Sequence, residues 1–462
     1  MTNSGPTNSL GSLPESIVRY GINVLDKLVA VPSVAAQGRG IDEASELTAT
    51  LLRELGFIVE IHDSGGAPVV FADSHPAGLP GKPTVLCYNH YDVQPAEPLE
   101  LWDSDPFVLT ERDGIYYGRG ALDDKGELSV RLAALKWLQD SLGTLPCRIK
   151  FLVEGEEEIG SPHLAGYLQA HQDDYQADVC VWEFGDINAL GQPQTYCGLK
   201  GILSLELMVR TARYDLHSSY GAVIENPIYR LAAALASLRD DDGNILVEGF
   251  YDDVRAPSKE DKALLDALPH DEGALAHMYG VESYLAGVTG RDYYERLYFG
   301  PVINFNGFHS GYGGMGSKTV LPAAASAKLD IRLVPDQTPE HILTCLNNHF
   351  HQHGFTDISV TPAQHAERAA RTTADHPWIQ TTLAVMGEVY DKTPLVYPSS
   401  PGSGPIYPFV EGLGIPIVGI GCGHQDGKIH SPNENMRLAD YRRAVETLAK
   451  VLERYPQQHP SE

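Results

Sequence analysis

Positive charge is what this sequence has least of. Its 462 residues carry 34 Lys and Arg against 61 Asp and Glu, a formal net charge of -27. Binding to nucleic-acid phosphates needs stripes of Lys and Arg, so nucleic acid is excluded as a partner, and docking on an anionic membrane is excluded with it. Cysteine is also scarce. Cys87, Cys147, Cys180, Cys197, Cys345 and Cys422 form no CxxC pair and no dense framework. That excludes a disulfide scaffold and a Cys-rich zinc site, and it reads as a reduced, cytoplasmic protein. No apolar run is long enough to span a bilayer. The opening stretch MTNSGPTNSLGSLPES has neither a basic segment nor an apolar core, so no secretory signal is expected. Internal repeats and low-complexity tracts are missing too.

What is present is the 43% hydrophobic and 21% charged composition of an ordinary globular protein, at a length that makes two domains the default. Residues from about Ser16 to Gly56 read as helical. Short apolar strands then alternate with helices: FIVEIHD, PVVFADS and PTVLCYNHYDV, the helix KGELSVRLAALKWLQDSL, the strand RIKFLVEGEEE, the helix SPHLAGYLQAH and the strand ADVCVWE. This alternation predicts a three-layer α/β domain with a mostly parallel sheet. After about Gly198 the pattern changes to a β-α-β-β-α-β order, with a charged, irregular stretch over residues 240 to 300. From about Pro398 the chain regains αβ character, ending in the helix RLADYRRAVETLAKVLERY. The expected domains are therefore a catalytic domain in two parts, residues 1–198 and 399–462, with an α+β sandwich of residues 199–398 inserted between them.

Five acidic and histidine clusters lie at strand ends or in loops: His90 with Asp92, Asp123 with Asp124, Glu157 with Glu158, Glu183, and His430. In open α/β sheets ligands bind beyond the carboxyl ends of the strands. His90 and Asp92 sit two apart, and Asp92 suits the carboxylate that fixes a metal-bound imidazole. In GRGALDDKG, Asp123 can bridge two cations, while Asp124 serves as a second-layer group or a helix cap. In VEGEEEIGS one glutamate can ligate and another carry a proton; spacing does not say which. Glu183 and Asp186 both follow a strand, and His424 and His430 share one loop. Each cluster alone has an ordinary reading as a solvated loop, a cap or a structural histidine. Together, in chain order on strand ends, they supply enough hard ligands for two divalent cations plus a spare carboxylate, the requirement of metal-assisted hydrolysis.

The motifs NHYDVQP, WDSDPF, YGRGALDDKG, EGEEEIGS and HSPNE make the chain resemble the co-catalytic zinc peptidases from about residue 20 to the last helix. That family contains aminoacylase, the glutamate-releasing carboxypeptidases, succinyl-diaminopimelate desuccinylase and the carnosinase-type dipeptidases. The resemblance implies two metal ions per subunit, zinc first, with manganese or cobalt also compatible with such ligands. It implies that His90 and Glu183 each bind one metal, that Asp123 bridges, and that Glu158 and His430 complete the sets. Glu157 becomes the general base acting on a metal-bridging water, and Asp92 the residue orienting His90. An unusual Asp123–Asp124 peptide geometry is implied as well.

The same resemblance makes the inserted domain a lid that mediates homodimerisation. His217, in YDLHSSYG, matches a histidine that reaches across the dimer to polarise the scissile carbonyl. Arg332, in DIRLVPDQ, matches the residue holding the substrate's terminal carboxylate. Asn306, Ser403 and Gly404 are weaker candidates for contacts to the same end. YNHYDVQP, RLVPDQ and the long lid favour the dipeptidase branch, acting on dipeptides or very short peptides. The alternative is an N-acyl-amino-acid amidohydrolase with the same metal chemistry.

Overall fold

The computed structural model describes residues 10–459, residue 184 excepted, as two compact units. The first comprises the chain up to Cys197, Thr372–Tyr397 and Pro408 onward; the second comprises Gly198–Arg371 and Pro398–Tyr407.

In the first unit a six-stranded sheet runs Ile58–His62, Val69–Asp73, Arg148–Glu154, Thr84–His90, Val179–Trp182, Ile417–Gly419. The last four are mutually parallel, and the first two add an antiparallel edge. Residue alternation divides the central strands between two buried faces. Val85, Cys87, Ile149, Phe151, Val153, Val179 and Val181 join one core with the helices Glu15–Val29, Ile41–Glu54, Lys125–Leu142, Pro377–Tyr390 and Leu438–Gln458. On the other face Tyr88 stacks on Trp182 at 4.2 Å, with Phe409 edge-on at 5.1 Å. Burial of both faces is why these strands read as continuous apolar runs.

The second unit follows the β-α-β-β-α-β order. Its antiparallel sheet runs Val302–Ser310, Ala324–Leu333, Gly198–Arg210, Ile358–Glu367. Leu203, Leu205, Leu207 and Val209 alternate inward against Leu231 and Ala234 of the helix Pro227–Ala236 and Ile342, Leu346 and Phe350 of Pro339–Gln352. The opposite, polar face carries no helix of this core, so the unit is a two-layer sandwich.

Three expectations need correction. The stretch from Ser16 to Gly56, read as helical without a break, holds two helices, Glu15–Val29 and Ile41–Glu54, with Pro32 and the positive-φ residues Gly38 and Gly40 between them. The stretch 240–300, read as irregular, contains the helices Lys259–Asp266, Glu272–Tyr279 and Gly290–Phe299. The return to the first unit comes at Thr372, not Pro398. The helix Pro377–Tyr390 buries Trp378, Ile379, Val385 and Met386 in the first core, and Leu395–Tyr397 runs parallel beside Pro193–Tyr196. Residues 399–407, expected in the catalytic part, belong to the second unit because Ser400–Ser403 pairs with Gly198–Arg210.

Candidate metal centre

Three neighbouring parallel strands deliver the site. His90 ends its strand beside Glu154, the turn Glu157–Ile159 follows that Glu154, and Glu183 comes directly after Trp182. The loop before the helix Lys125–Leu142 brings Asp123 and Asp124, joined by a cis peptide as the resemblance implied.

These residues form two potential ligand sets. His90, Asp124 and Glu183 make one, and Asp123, Glu158 and His430 make the other, each with ligand atoms within 4.8 Å of one another. Asp123 lies between them. Its Oδ1 is 3.1 Å from His90 Nε2 and its Oδ2 is 3.0 Å from His430 Nε2. His430 Nε2 is also 3.0 Å from Glu158 Oε2, and His90 Nε2 is 3.9 Å from Glu183 Oε2. Glu157 belongs to neither set. Of the paired alternatives, Asp186 lies on the short strand Asp186–Ile187 outside both sets, and His424 is buried away from them.

Asp92 holds several parts at once. Its Oδ1 is 3.3 Å from His90 Nδ1 and accepts the Glu157 N–H at 3.3 Å, while its Oδ2 accepts the Glu158 N–H at 3.1 Å. One carboxylate thus fixes an imidazole and the turn bearing both glutamates.

The electrostatics call for cations. Burial, joined by the charge of Glu157 and then of Asp124 and Asp123, pushes the Glu183 carboxyl well up. Burial, with Asp123, Glu158 and Asp92, does the same to Glu157. Contacts with Asp123 and Glu158 push His430 up to about 10. Glu183 Oε2 and Asp124 Oδ1 are buried with no hydrogen-bond partner. An orphan of this kind costs about 1–3 kcal/mol, more when charged. The sets contain only imidazole and carboxylate, so these residues fit a pair of divalent cations of the zinc, manganese or cobalt type.

One member of the ligand sets and two supporting residues have tasks that spacing did not settle. Asp124 caps nothing; its Oδ2 accepts the Asn89 side-chain amide at 2.8 Å and the His90 N–H at 2.9 Å. Glu434, at the end of HSPNE, is fully buried and clasps the Asp123 loop. It accepts from Arg119 at 2.7 Å and from the N–H groups of Gly120, Leu122 and Asp123, each at 3.0 Å. Arg131 donates to the Trp182 and Glu183 carbonyls at 2.8 and 2.6 Å and pairs with Glu127 at 2.8 Å. Only the HSPNE motif could have pointed to Glu434, and its spacing assigns no task.

The remaining expected residues lie in the second unit. His217 ends the two-residue strand Leu216–His217, exposed, with its Nδ1 accepting the Ser219 N–H at 3.2 Å. That acceptor role leaves the ring proton on Nε2. Arg332 donates to Ser403 Oγ at 2.8 Å. Asn306 donates to Asp330 Oδ1 at 3.3 Å, and Asp330 Oδ2 is 3.7 Å from Arg332 Nε. Gly404 follows Ser403, so this group is gathered in one place.

The chain is similar to several known proteins. The chain is 33% identical over 315 residues to the Beta-Ala-His dipeptidase of Rattus norvegicus, covering 66% of this chain and 64%, just under two thirds, of that one. It is 27% identical to the Cys-Gly metallodipeptidase dug1 of Schizosaccharomyces pombe, over 91% of this chain and 92% of that one. The M20 family metallo-carboxypeptidase Sso-CP2 of Sulfolobus solfataricus superposes with a TM-score of 0.89 at 35% identity, over 95% of this chain and 99% of its own. Among the described residues no helix is long and apolar enough to cross a membrane. With residues 86–454 matched by the model of peptidase family M20/M25/M40, and with these relatives, the chain belongs to that family and is a metallopeptidase.

Proposed function

We propose that this protein hydrolyses the peptide bond of dipeptides or very short peptides with a free C-terminal carboxylate. The observation that carries the reading is the pair of ligand sets meeting at Asp123, with Glu157 on the turn of Glu158 yet outside both. His90, Asp124, Glu183, Asp123, Glu158 and His430 would hold two divalent cations, zinc foremost. Such cations, when bound, polarise the scissile carbonyl and acidify water. Glu157 takes the proton from the attacking water and delivers it to the leaving amine. Asp92 keeps His90 and the Glu157 turn in register through its three contacts.

His217 is the oxyanion donor, contributed by a second copy of the chain. Its Nδ1 is committed to Ser219, which leaves Nε2–H to donate. A homodimer is supported by apolar side chains left in water on the same unit, among them Val223 at 82% and Met315 at 98% exposure. Arg332, backed by Ser403, receives the substrate carboxylate, with Asn306 and Gly404 shaping the same place. The six buried free cysteines fit a cytoplasmic enzyme. Relatives named for Beta-Ala-His and Cys-Gly favour dipeptides over N-acyl amino acids.

Hydrolysis of one dipeptide and of its N-acetylated form, by metal-loaded and chelated protein, tests this reading. Cleavage of the free dipeptide alone, lost on chelation, is expected; preference for the blocked form would move the protein to the deacylases. His217→Ala is expected to lower turnover about 100-fold, the scale of losing an oxyanion donor, with metal content unchanged. Loss of metal in that variant would make His217 a ligand instead.

A further inference from the structure

We propose that Lys200 is a second cation of the substrate-carboxylate site, acting beside Arg332 and Ser403 to select substrates with an ionised C-terminus. This rests on the reading of Arg332 above. Strand register brings the three residues together. In the sheet, Ile202 lies opposite Arg332, so their side chains share a face. Lys200 sits two residues earlier on that strand, on the same face, as the diagonal neighbour of Arg332. On the strand's other side Lys200 is in register with Ser403. The Ser403 hydroxyl in turn accepts from Arg332 at 2.8 Å and donates to the Gly201 carbonyl at 3.0 Å.

Lys200 lacks what a purely structural lysine at this depth would need. It is 3% exposed, and its Nζ donates to the Gly300 carbonyl at 2.6 Å. An ammonium has three N–H donors, so this bond leaves capacity for a ligand. Among the described residues no carboxylate stands within ion-pair distance of it. Burial, and then the Arg332 charge, lower its pKa to about 8, as expected of a cation facing another cation. Two carboxyls near Arg332 share this face of the sheet: Asp330, whose Oδ2 is 3.7 Å from Arg332 Nε, and Glu367, opposite Ile202 on the far strand, whose Oε2 is buried without a hydrogen-bond partner. Arg332 is partly exposed and has Asp330 beside it, but the buried Lys200 ammonium has no carboxylate, and a desolvated cation is costly until an anion joins it. A carboxylate has the right shape: one oxygen faces the guanidinium and the other the ammonium. An amide in its place carries no charge to offset either cation.

The test uses the metal-loaded full chain and one dipeptide as its free acid and as its C-terminal amide. Lys200→Gln keeps a donor for Gly300 and removes the charge; Lys200→Arg restores the charge. For Lys200→Gln the acid-to-amide ratio of kcat/KM is expected to fall about tenfold or more, through KM for the acid, with the amide unaffected. Lys200→Arg should recover most of the preference. Equal losses on both substrates, or none, would make Lys200 a support for the Gly300 segment and overturn the proposal. Arg332→Met separates the two readings. If it abolishes the preference while Lys200→Gln keeps it, only the Lys200 assignment falls. A wild-type protein that treats acid and amide alike removes the carboxylate site itself. Thermal unfolding of each variant checks that the fold survives.

Discussion

Glu157→Gln is expected to retain less than about a thousandth of wild-type turnover, within the 10²- to 10⁴-fold range of general acid–base catalysis, while binding its metals normally. The substitution keeps the size and hydrogen-bonding shape of the side chain and removes only its capacity to carry a proton. The turn should stay in place, because Asp92 holds it through the backbone N–H groups of residues 157 and 158, which the change does not touch. Glu157 also stands outside both ligand sets. Turnover and metal content of the purified variant are the measurements. Activity within tenfold of wild type would remove Glu157 as the base. Loss of metal would place it among the ligands instead.

Asp123→Asn should show the opposite pattern, with metal lost first and turnover in consequence. Both oxygens of Asp123 are engaged in opposite directions, Oδ1 toward His90 and Oδ2 toward His430. An amide keeps one oxygen and turns the other position into a donor, so one set loses a ligand and both lose a negative charge. Altering a group that merely orients a ligand already costs about 10- to 100-fold in metal affinity. Removing the shared ligand is expected to exceed the upper figure, leaving fewer than two ions per chain. Elemental analysis of the dialysed variant reads this directly. Full metal content with full activity would show that the sets do not depend on Asp123.

Local residue patterns carried much of this protein. The apolar runs that bury both faces of the central strands, the carboxyl-end positions of His90, Glu157 and Glu183, and the glycine-bounded loop of Asp123 could all be read from neighbours a few residues apart. The alternating Leu203, Leu205, Leu207 and Val209 likewise marked the half-buried strand of the second unit. The order of elements exposed the insertion. It did not locate the return point, because Pro377–Tyr390 is assigned by what it packs against, not by its own periodicity.

The rest was decided by contacts between residues far apart in the chain. Glu434 serves the Asp123 loop 311 residues away, and Arg131 reaches the Glu183 carbonyl across 52. The roles of Asp124 and Lys200 depend on strand register and burial, which bring Asn89 and His90 to the one and Ser403 and Arg332 to the other. By itself the sequence determined which chemistry the ligands could perform, since residue type and strand-end position are local properties. Only the tertiary structure decided how the acidic groups divide into two sets with Glu157 outside them, because that division follows from three-dimensional distances that no spacing along the chain encodes.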